Sequence, residues 1–243
     1  MIFRLSIEKG ALGSLPRIRN LAQLQWWGYC LERFSSSSAQ LNQDLWVAYR
    51  LREKFGGFFV DVGACHPHHL SNTYMLENKF NWNGLLIEPN SQMVKLLLSE
   101  RKAKVLHLAA GKEGSIELLL AQTPEFSTRS KEEPGRQHRL FKATGNIETV
   151  TSKPLSIIFR ESSVPEDFDY LSVDVEGDEL LTLQSNDWDT YRPKLISVEH
   201  NFRSDRSDIQ SLLLNHGYVL DQLNSKHSWD DWYILPELLV SDN

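Results

Sequence analysis

The sequence predicts an α/β fold: a mostly parallel seven-stranded sheet that ends in an antiparallel carboxyl-terminal hairpin and carries helices on both faces. Two observations predict this fold. Short apolar runs alternate with stretches of helical periodicity, and the last two apolar runs are joined by a polar segment too short to hold a crossover helix. The chain has 243 residues, of which 41% are hydrophobic and 24% charged. These values suit one large globular domain with a short extension.

The first 40 residues are predicted to form an N-terminal helical extension, and residues 41–243 to form the main domain. Apolar residues recur at helical spacing from Leu15 to Phe34, and four serines at 35–38 then predict a flexible joint. On this helix, Trp26 and Trp27 could stack on a sugar ring or seal a homodimer. The aromatic residues of an amphipathic helix more commonly cover a protein core.

The main domain repeats a strand–helix pattern. Helices are predicted over 41–55, where two glycines follow, over 90–101 and over 207–216. Continuous apolar runs, which are typical of strands buried on both faces, occur at 58–62, 84–88, 104–109, 168–175 and 194–199. Two further strands, 218–220 and 232–235, are predicted to form the antiparallel hairpin. This is the layout of the class I methyltransferase fold, which is Rossmann-like, rather than that of the dinucleotide-binding dehydrogenase fold.

Composition excludes several classes of protein. The net charge is −6 and the chain has no basic tract, so a nucleic-acid partner is not expected. Two cysteines cannot form a disulfide framework, and their scarcity favours a reducing compartment, so a cytoplasmic protein is expected. Charged residues near the start and the lack of any apolar run of about 18 residues predict neither a signal peptide nor a membrane span.

The segment 123–147 interrupts the strand–helix pattern. It is polar, charged and long for a connection inside a compact domain. We interpret it as a surface insertion or an active-site lid. A solvated loop without function fits the same composition.

The clearest local motif follows the first predicted strand. Asp61, Gly63 and Ala64 form an acidic turn with small side chains, which lets a ligand approach the backbone. Glu88 ends the second strand, where a carboxylate can accept hydrogen bonds from the ribose of an adenosine cofactor. The alternative interpretations are a helix-capping role for Asp61 and an exposed strand end for Glu88. The motif lacks the G-x-G-x-x-G of dinucleotide sites and the lysine of a P-loop.

Four blocks of sequence resemble the FkbM family of S-adenosylmethionine-dependent methyltransferases. They are residues 58–67, 71–74, 82–90 and 169–179, and the resemblance covers roughly residues 40–235 in the same order. It implies a class I fold, S-adenosylmethionine as cofactor, and transfer of a methyl group to a hydroxyl of a sugar, glycan or related small metabolite. A nicotinamide-dependent oxidoreductase and a non-catalytic binding module with the same fold remain as alternatives.

The resemblance also implies roles for individual residues. The residues predicted to contact the cofactor are Gln43, Asp44, Asp61, Gly63, Ala64, Ser71, Asn72, Thr73, Glu88, Pro89, Asn90, Ala109 and Asp174. Asn72 and Thr73 could equally cap a helix. The chain departs from many members at Cys65 and His66, where those members carry Asn, Asp or another polar residue, and this departure leaves the role of His66 open.

Catalytic candidates follow the carboxyl ends of predicted strands, because a methyl acceptor must be positioned there and must lose a proton. They are His66, Asp174, Glu176 and His200. An acid after one strand, with an acid and an amide after the next, is also how metal-dependent class I O-methyltransferases hold Mg²⁺. This pattern predicts a metal site at Asp174, Glu199 and Asn201. The alternative is that the acids near Glu176 only favour the start of a helix.

Overall fold

The computed structural model of the protein describes residues 21–121, 128–129, 143–223 and 228–239. The helices are α1 (Leu21–Arg33), α2 (Gln43–Arg50), α3 (Tyr74–Phe80), α4 (Ser91–Glu100), α5 (Leu155–Ser162), α6 (Glu179–Gln184) and α7 (Arg206–Asn215). The strands are β1 (Phe58–Val62), β2 (Asn83–Glu88), β3 (Lys104–His107), β4 (Ala109–Ala110), β5 (Gly114–Ala121), β6 (Thr128–Arg129), β7 (Ala143–Lys153), β8 (Tyr170–Val173), β9 (Leu195–Glu199), β10 (Val219–Leu220) and β11 (Asp230–Ile234).

The main sheet has seven strands in the order β10-β11-β9-β8-β1-β2-β3. The pairs from β3 to β9 are parallel, whereas β11 runs antiparallel to both β9 and β10. The predicted α/β fold, with its antiparallel carboxyl-terminal strands, is therefore confirmed. From β1 the sheet continues with β2 and β3 on one side and with β8 and β9 on the other. This change of direction in the strand order leaves a crevice beyond the carboxyl ends of β1 and β8.

Two apolar cores cover the two faces of this sheet. Neighbouring residues of β1 point to opposite faces, so Phe59 packs in the core on one side and Val60 in the core on the other. Trp26 of α1 is 3% exposed and lies in the first core. Its indole meets that of Trp232 edge to face, with ring centroids 6.1 Å apart. Trp26 therefore covers the core of its own chain, the more common of the roles that the sequence suggested.

A second sheet of four strands, in the order β4-β7-β5-β6, is an element that the sequence analysis did not predict. The predicted strand over 104–109 is divided between the two sheets, with β3 in the main sheet and β4 in the second. Of the predicted insertion 123–147, residues 123–127 and 130–142 lie outside the described residues. Residues 143–147, however, begin β7, which pairs antiparallel with β5.

Two predicted boundaries differ from the structure for local reasons. The helix predicted over 41–55 ends at Arg50, because Arg52 and Glu53 adopt left-handed backbone conformations with φ of 52° and 53°. The serines predicted as a flexible joint bond to the main domain: Ser37 Oγ donates a hydrogen bond to Asp44 Oδ1 over 2.6 Å. Among the described residues, no helix is long and apolar enough to cross a membrane.

Candidate functional site

An open cleft lies at the carboxyl ends of the central strands. Most of the predicted cofactor residues line it, namely Asp61, Gly63, Ala64, Ser71, Asn72, Glu88, Pro89, Ala109 and Asp174. The acidic residues Glu176 and Glu199 and the amide residue Asn201 line it too. The cleft is therefore where the parallel sheet predicts a ligand to bind.

Gly63 shapes the turn after β1. Its φ is 85°, a left-handed conformation that favours glycine, and a Cβ placed there would lie 1.7 Å from the main-chain oxygen of Asp174. The backbone N–H groups of Gly63 and Ala64 both donate to the carbonyl oxygen of Ile87, over 2.9 and 3.2 Å. The turn therefore lies close against the ends of β2 and β8, and it brings backbone to the floor of the cleft.

Glu88 closes the cleft at the end of β2. One carboxylate oxygen accepts a hydrogen bond from the backbone N–H of Cys65 over 2.8 Å, and the other accepts from that of Asn90 over 2.7 Å. Burial, together with the nearby carboxylates of Asp61 and Glu148, raises the pKa of Glu88 to about 7, although the two backbone hydrogen bonds lower it. The structure thus places a fixed, buried acid at the tip of the second strand.

Asp61 is held by the segment that follows the turn. Thr73 Oγ1 donates a hydrogen bond to Asp61 Oδ2 over 2.7 Å, and Asn72 Nδ2 donates to Ser172 Oγ over 2.9 Å. Burial raises the pKa of Asp61, while the Thr73 hydrogen bond and the charge of Arg101 lower it. These two hydrogen bonds tie Thr73 to β1 and Asn72 to β8.

Three acids form a cluster at the ends of β8 and β9. One carboxylate oxygen from each of Asp174, Glu176 and Glu199 lies within 4.8 Å of the other two. Asn201 Nδ2 donates a hydrogen bond to Glu199 Oε2 over 2.7 Å. Asp174 Oδ1 is buried and has no hydrogen-bond partner among the described residues.

This acid cluster is electrostatically strained. Burial raises the pKa of both Asp174 and Glu199 well above the usual range, and repulsion from Glu176 and between the two groups raises it further. Buried like charges this close favour the uptake of a proton or a cation. The cluster can therefore accept a proton, attract a positively charged ligand or coordinate an ion.

Four of the predicted cofactor residues lie outside the cleft. Gln43 donates a hydrogen bond to Asp230 Oδ2 over 2.6 Å, and Asp44 accepts the hydrogen bonds that anchor residues 37–39. Asn90 caps α4 by accepting from the N–H of Gln92 over 2.9 Å. Thr73 contacts Asp61 instead. These four side chains form hydrogen bonds within the protein and do not line the cleft.

The two histidines proposed as catalytic also lie outside the set of residues that line the cleft. His66 Nδ1 accepts hydrogen bonds from the backbone N–H groups of His68 and His69, over 3.1 and 3.0 Å, and so closes a loop. His200 Nδ1 accepts from the N–H of Phe202 over 3.0 Å, and its Nε2 lies 3.6 Å from Asp231 Oδ1. Both imidazoles are engaged in local structure, which leaves Asp174 and Glu176 as the catalytic candidates at the cleft.

Sequence reasoning missed an apolar wall of the cleft. Ile116 and Leu118 of β5 line it together with Leu108, and Gln40 and Trp229 line it elsewhere. The alternation of Ile116, Glu117 and Leu118 was a signal for a strand with one covered face. The second sheet thus provides a hydrophobic surface to the cleft.

Acid groups with raised pKa values predict how stability depends on pH. Burial raises the pKa of Glu88 and Glu179 to about 7, above the ordinary 4.5 of glutamate. Such a group favours folding while it is protonated, and that contribution is lost as the pH rises through the folded-state pKa. The free energy of unfolding of the ligand-free protein is therefore expected to fall between pH 6 and pH 8 by about 1 kcal/mol per group, because about one pKa unit of the shift lies above pH 6, at about 1.4 kcal/mol per unit.

Urea denaturation at pH 6, 7 and 8 measures this slope, and Glu88→Gln is expected to flatten it. Asp169 and Asp231 have lowered pKa values, which place their effect at more acidic pH. A free energy of unfolding that rises between pH 6 and pH 8 would contradict the expectation.

Comparisons with known proteins identify the family of this chain. A model of the family described as Methyltransferase FkbM domain matches residues 61–220, the part of the chain that holds the turn, Glu88 and the acid cluster. No curated protein sequence matches the chain.

Similar solved structures include methyltransferase FkbM from Methylobacillus flagellatus KT, with 12% identity and a TM-score of 0.47 over 86% of this chain and 60% of that one. Precorrin-6y C5,15-methyltransferase from Geobacter metallireducens GS-15 has 11% identity and a TM-score of 0.43 over 79% and 84% of the two chains. A TehB-like SAM-dependent methyltransferase from Corynebacterium glutamicum has 9% identity and a TM-score of 0.42 over 88% and 98%. The present chain spans about 60% of the length of the first of these.

The family match covers well over half of the chain and includes the turn at Gly63, the strand-end acid Glu88 and the cluster around Asp174. The chain therefore belongs to the FkbM family of S-adenosylmethionine-dependent methyltransferases.

Proposed function

We propose that this methyltransferase acts on oxygen and transfers the methyl group to a hydroxyl of a sugar, glycan or related small metabolite. The observation that carries the proposal is the acid cluster of Asp174, Glu176 and Glu199 in the cleft. A hydroxyl must lose its proton as it attacks a methyl group, and a carboxylate with a raised pKa is a better base than an ordinary one. Asp174 and Glu199 have that property.

The cofactor supplies an electrophilic methyl group on a positively charged sulfur. The side chains of the cleft suggest how it is held: Glu88 can accept hydrogen bonds from the ribose hydroxyls, and the turn at Gly63 allows close approach of the ligand to the backbone. Ile116 and Leu118 offer an apolar surface for the adenine ring. Asp61 can receive the ammonium group of the methionine end.

The acid cluster has two roles in this proposal. Its negative charge favours a cationic sulfonium nearby, and its carboxylates can accept the proton of a hydroxyl that binds in the cleft. As the acceptor oxygen forms its bond to the methyl carbon, the carbon–sulfur bond breaks, and the hydroxyl proton passes to a carboxylate of the cluster. Asp174 is the preferred base because its Oδ1 is buried and has no other partner among the described residues.

We further propose that the same acid cluster binds Mg²⁺. Asp174, Glu199 and Asn201 were predicted as its ligands, and Glu176 joins the two acids in a group whose oxygens are close enough to share one ion. Carboxylate and amide oxygens are the donors that Mg²⁺ prefers. A bound ion would lower the pKa of an acceptor hydroxyl and so ease the loss of its proton.

Two measurements test the proposal. Titration with S-adenosylhomocysteine is expected to show saturable binding, which Asp61→Ala and Glu88→Ala each weaken by at least about tenfold. A panel of sugars, glycans and other hydroxyl compounds, scored by release of S-adenosylhomocysteine, is then expected to contain an acceptor. Turnover of amine or thiol acceptors only would overturn oxygen as the target.

The metal is tested separately with the same assay. If Mg²⁺ takes part, EDTA is expected to abolish turnover of the acceptor and added Mg²⁺ to restore it. Full activity in EDTA would remove the ion from the proposal and leave the carboxylates as the base.

A further inference from the structure

Arg101, directly after α4, is a buried cation that the family resemblance did not point to. Its side chain is fully excluded from solvent, and it forms an ion pair with Glu77 of α3 at 3.3 Å between Nε and Oε2. An arginine is rarely buried without a specific set of partners. Its other hydrogen-bond partners lie in the loop between β1 and α3, part of which lines the cleft.

The guanidinium donates three further hydrogen bonds to that segment. Nη1 donates to the carbonyl oxygen of Pro67 and to Ser71 Oγ, both over 3.2 Å, and Nη2 donates to Thr73 Oγ1 over 3.1 Å. These three acceptors span the loop between β1 and α3. The planar, fork-like geometry of the guanidinium fixes their relative positions in a way that a lysine ammonium cannot.

Thr73 connects this arginine to the cleft. A hydroxyl has one hydrogen to donate, and because Thr73 Oγ1 accepts from Arg101, its own hydrogen can point to Asp61 Oδ2, 2.7 Å away. Asp61 lines the cleft, whereas Arg101 and Thr73 are not among its lining residues. Arg101 therefore does not line the cleft itself, and it acts there through the groups that it orients and through its charge, which lowers the pKa of Asp61.

We propose that Arg101 is a positioning residue for cofactor binding, which acts by holding Pro67, Ser71 and Thr73 and, through the Thr73 hydroxyl, the carboxylate of Asp61. A misplaced Asp61 loses its alignment with the ammonium group at the methionine end of the cofactor. The inference rests on the proposed contact between Asp61 and that end of the cofactor.

Isothermal titration with S-adenosylhomocysteine tests the inference. Arg101→Lys keeps the charge but removes the planar guanidinium that bonds to three acceptors at once, and we expect at least a tenfold loss of affinity for S-adenosylhomocysteine. Thr73→Val removes the linking hydroxyl at nearly constant volume, and we expect a similar loss, whereas Thr73→Ser keeps the hydroxyl and is expected to stay within threefold of the wild type. The double variant Arg101→Lys/Thr73→Val is expected to bind no worse than about the weaker single variant, because both substitutions break one chain of contacts.

Arg50→Lys is the matched control. Arg50 is also a buried arginine in an ion pair, with Asp221 at 2.7 Å, but neither residue lines the cleft. This variant is expected to lower the melting temperature as Arg101→Lys does, while its affinity stays within twofold of the wild type.

Equal binding by Thr73→Val and Thr73→Ser, or affinities of Arg101→Lys and Thr73→Val within twofold of the wild type, would overturn the inference. If Arg101→Lys fails to fold, the two Thr73 variants decide the question. Wild-type binding that is insensitive to Asp61→Ala would instead remove the proposed Asp61 contact itself, so the two failures are distinguishable.

Discussion

Replacing Gly63 by alanine is expected to abolish binding of S-adenosylhomocysteine and to destabilise the fold by more than about 3 kcal/mol. The added methyl group would lie 1.7 Å from the carbonyl oxygen of Asp174, and the residue would keep an unfavourable φ of 85°. The left-handed conformation alone costs roughly 1–2 kcal/mol for an alanine. The clash is with backbone, so relief requires the turn or the end of β8 to move.

Gly56→Ala separates the two causes. Gly56 also has a left-handed φ, 71°, but a Cβ there would meet no atom within 4 Å. It is expected to lose about 1 kcal/mol of stability and to bind S-adenosylhomocysteine as the wild type does. Urea denaturation and calorimetric titration of both variants measure the effects. A Gly63→Ala variant as stable as Gly56→Ala would show that the turn does not need residue 63 to lie so close to the main-chain oxygen of Asp174.

Those parts of the fold that carry strong local signals could be predicted from the sequence. Strands such as β1 and β9 are covered on both faces, so each appears as a continuous apolar run that needs no partner to be recognised. The turn at Gly63 and the acid at Glu88 follow such runs directly, and their place in the cleft was therefore predictable.

The second sheet was not predictable by the same reasoning. β7 begins within a polar segment, and its Ile147 is 56% exposed. What defines the strand is its pairing with β5, as between Gly114 and Ser152. Because the two strands lie far apart in the sequence, each one by itself shows only a weak alternation of apolar and polar residues. The apolar wall of Ile116 and Leu118 was missed for this reason.

The site residues illustrate a similar limit. Glu199 and His200 are neighbours at the end of β9, and the sequence places both near the cleft. Successive side chains of a strand point in opposite directions, and only Glu199 lines the cleft, whereas His200 faces Asp231 of β11. Arg101 was missed because its partners Pro67, Ser71 and Thr73 come from a different loop.

Asp174→Asn is expected to reduce kcat by about a thousandfold, the usual scale for the loss of a general base, and at the same time to raise the melting temperature. Asp174 is buried beside Glu176 and Glu199, and its charge is opposed by both burial and repulsion. A neutral amide of the same shape removes that repulsion. Function is thus expected to cost stability at this position.

Asp169→Asn provides the matched control at the opposite end of the same strand. Asp169 directly precedes β8, and its carboxylate pairs with Lys54 and Lys194, each at 2.7 Å, which helps to lower its pKa. Its loss is expected to lower the melting temperature and to leave kcat within about twofold. Both variants are measured by thermal unfolding without ligand and by turnover of the hydroxyl acceptor. Two outcomes would contradict the role of Asp174 as a buried base. A destabilised Asp174→Asn variant would show that the carboxylate is not repelled by its neighbours, and a fully active one would show that it does not accept the proton.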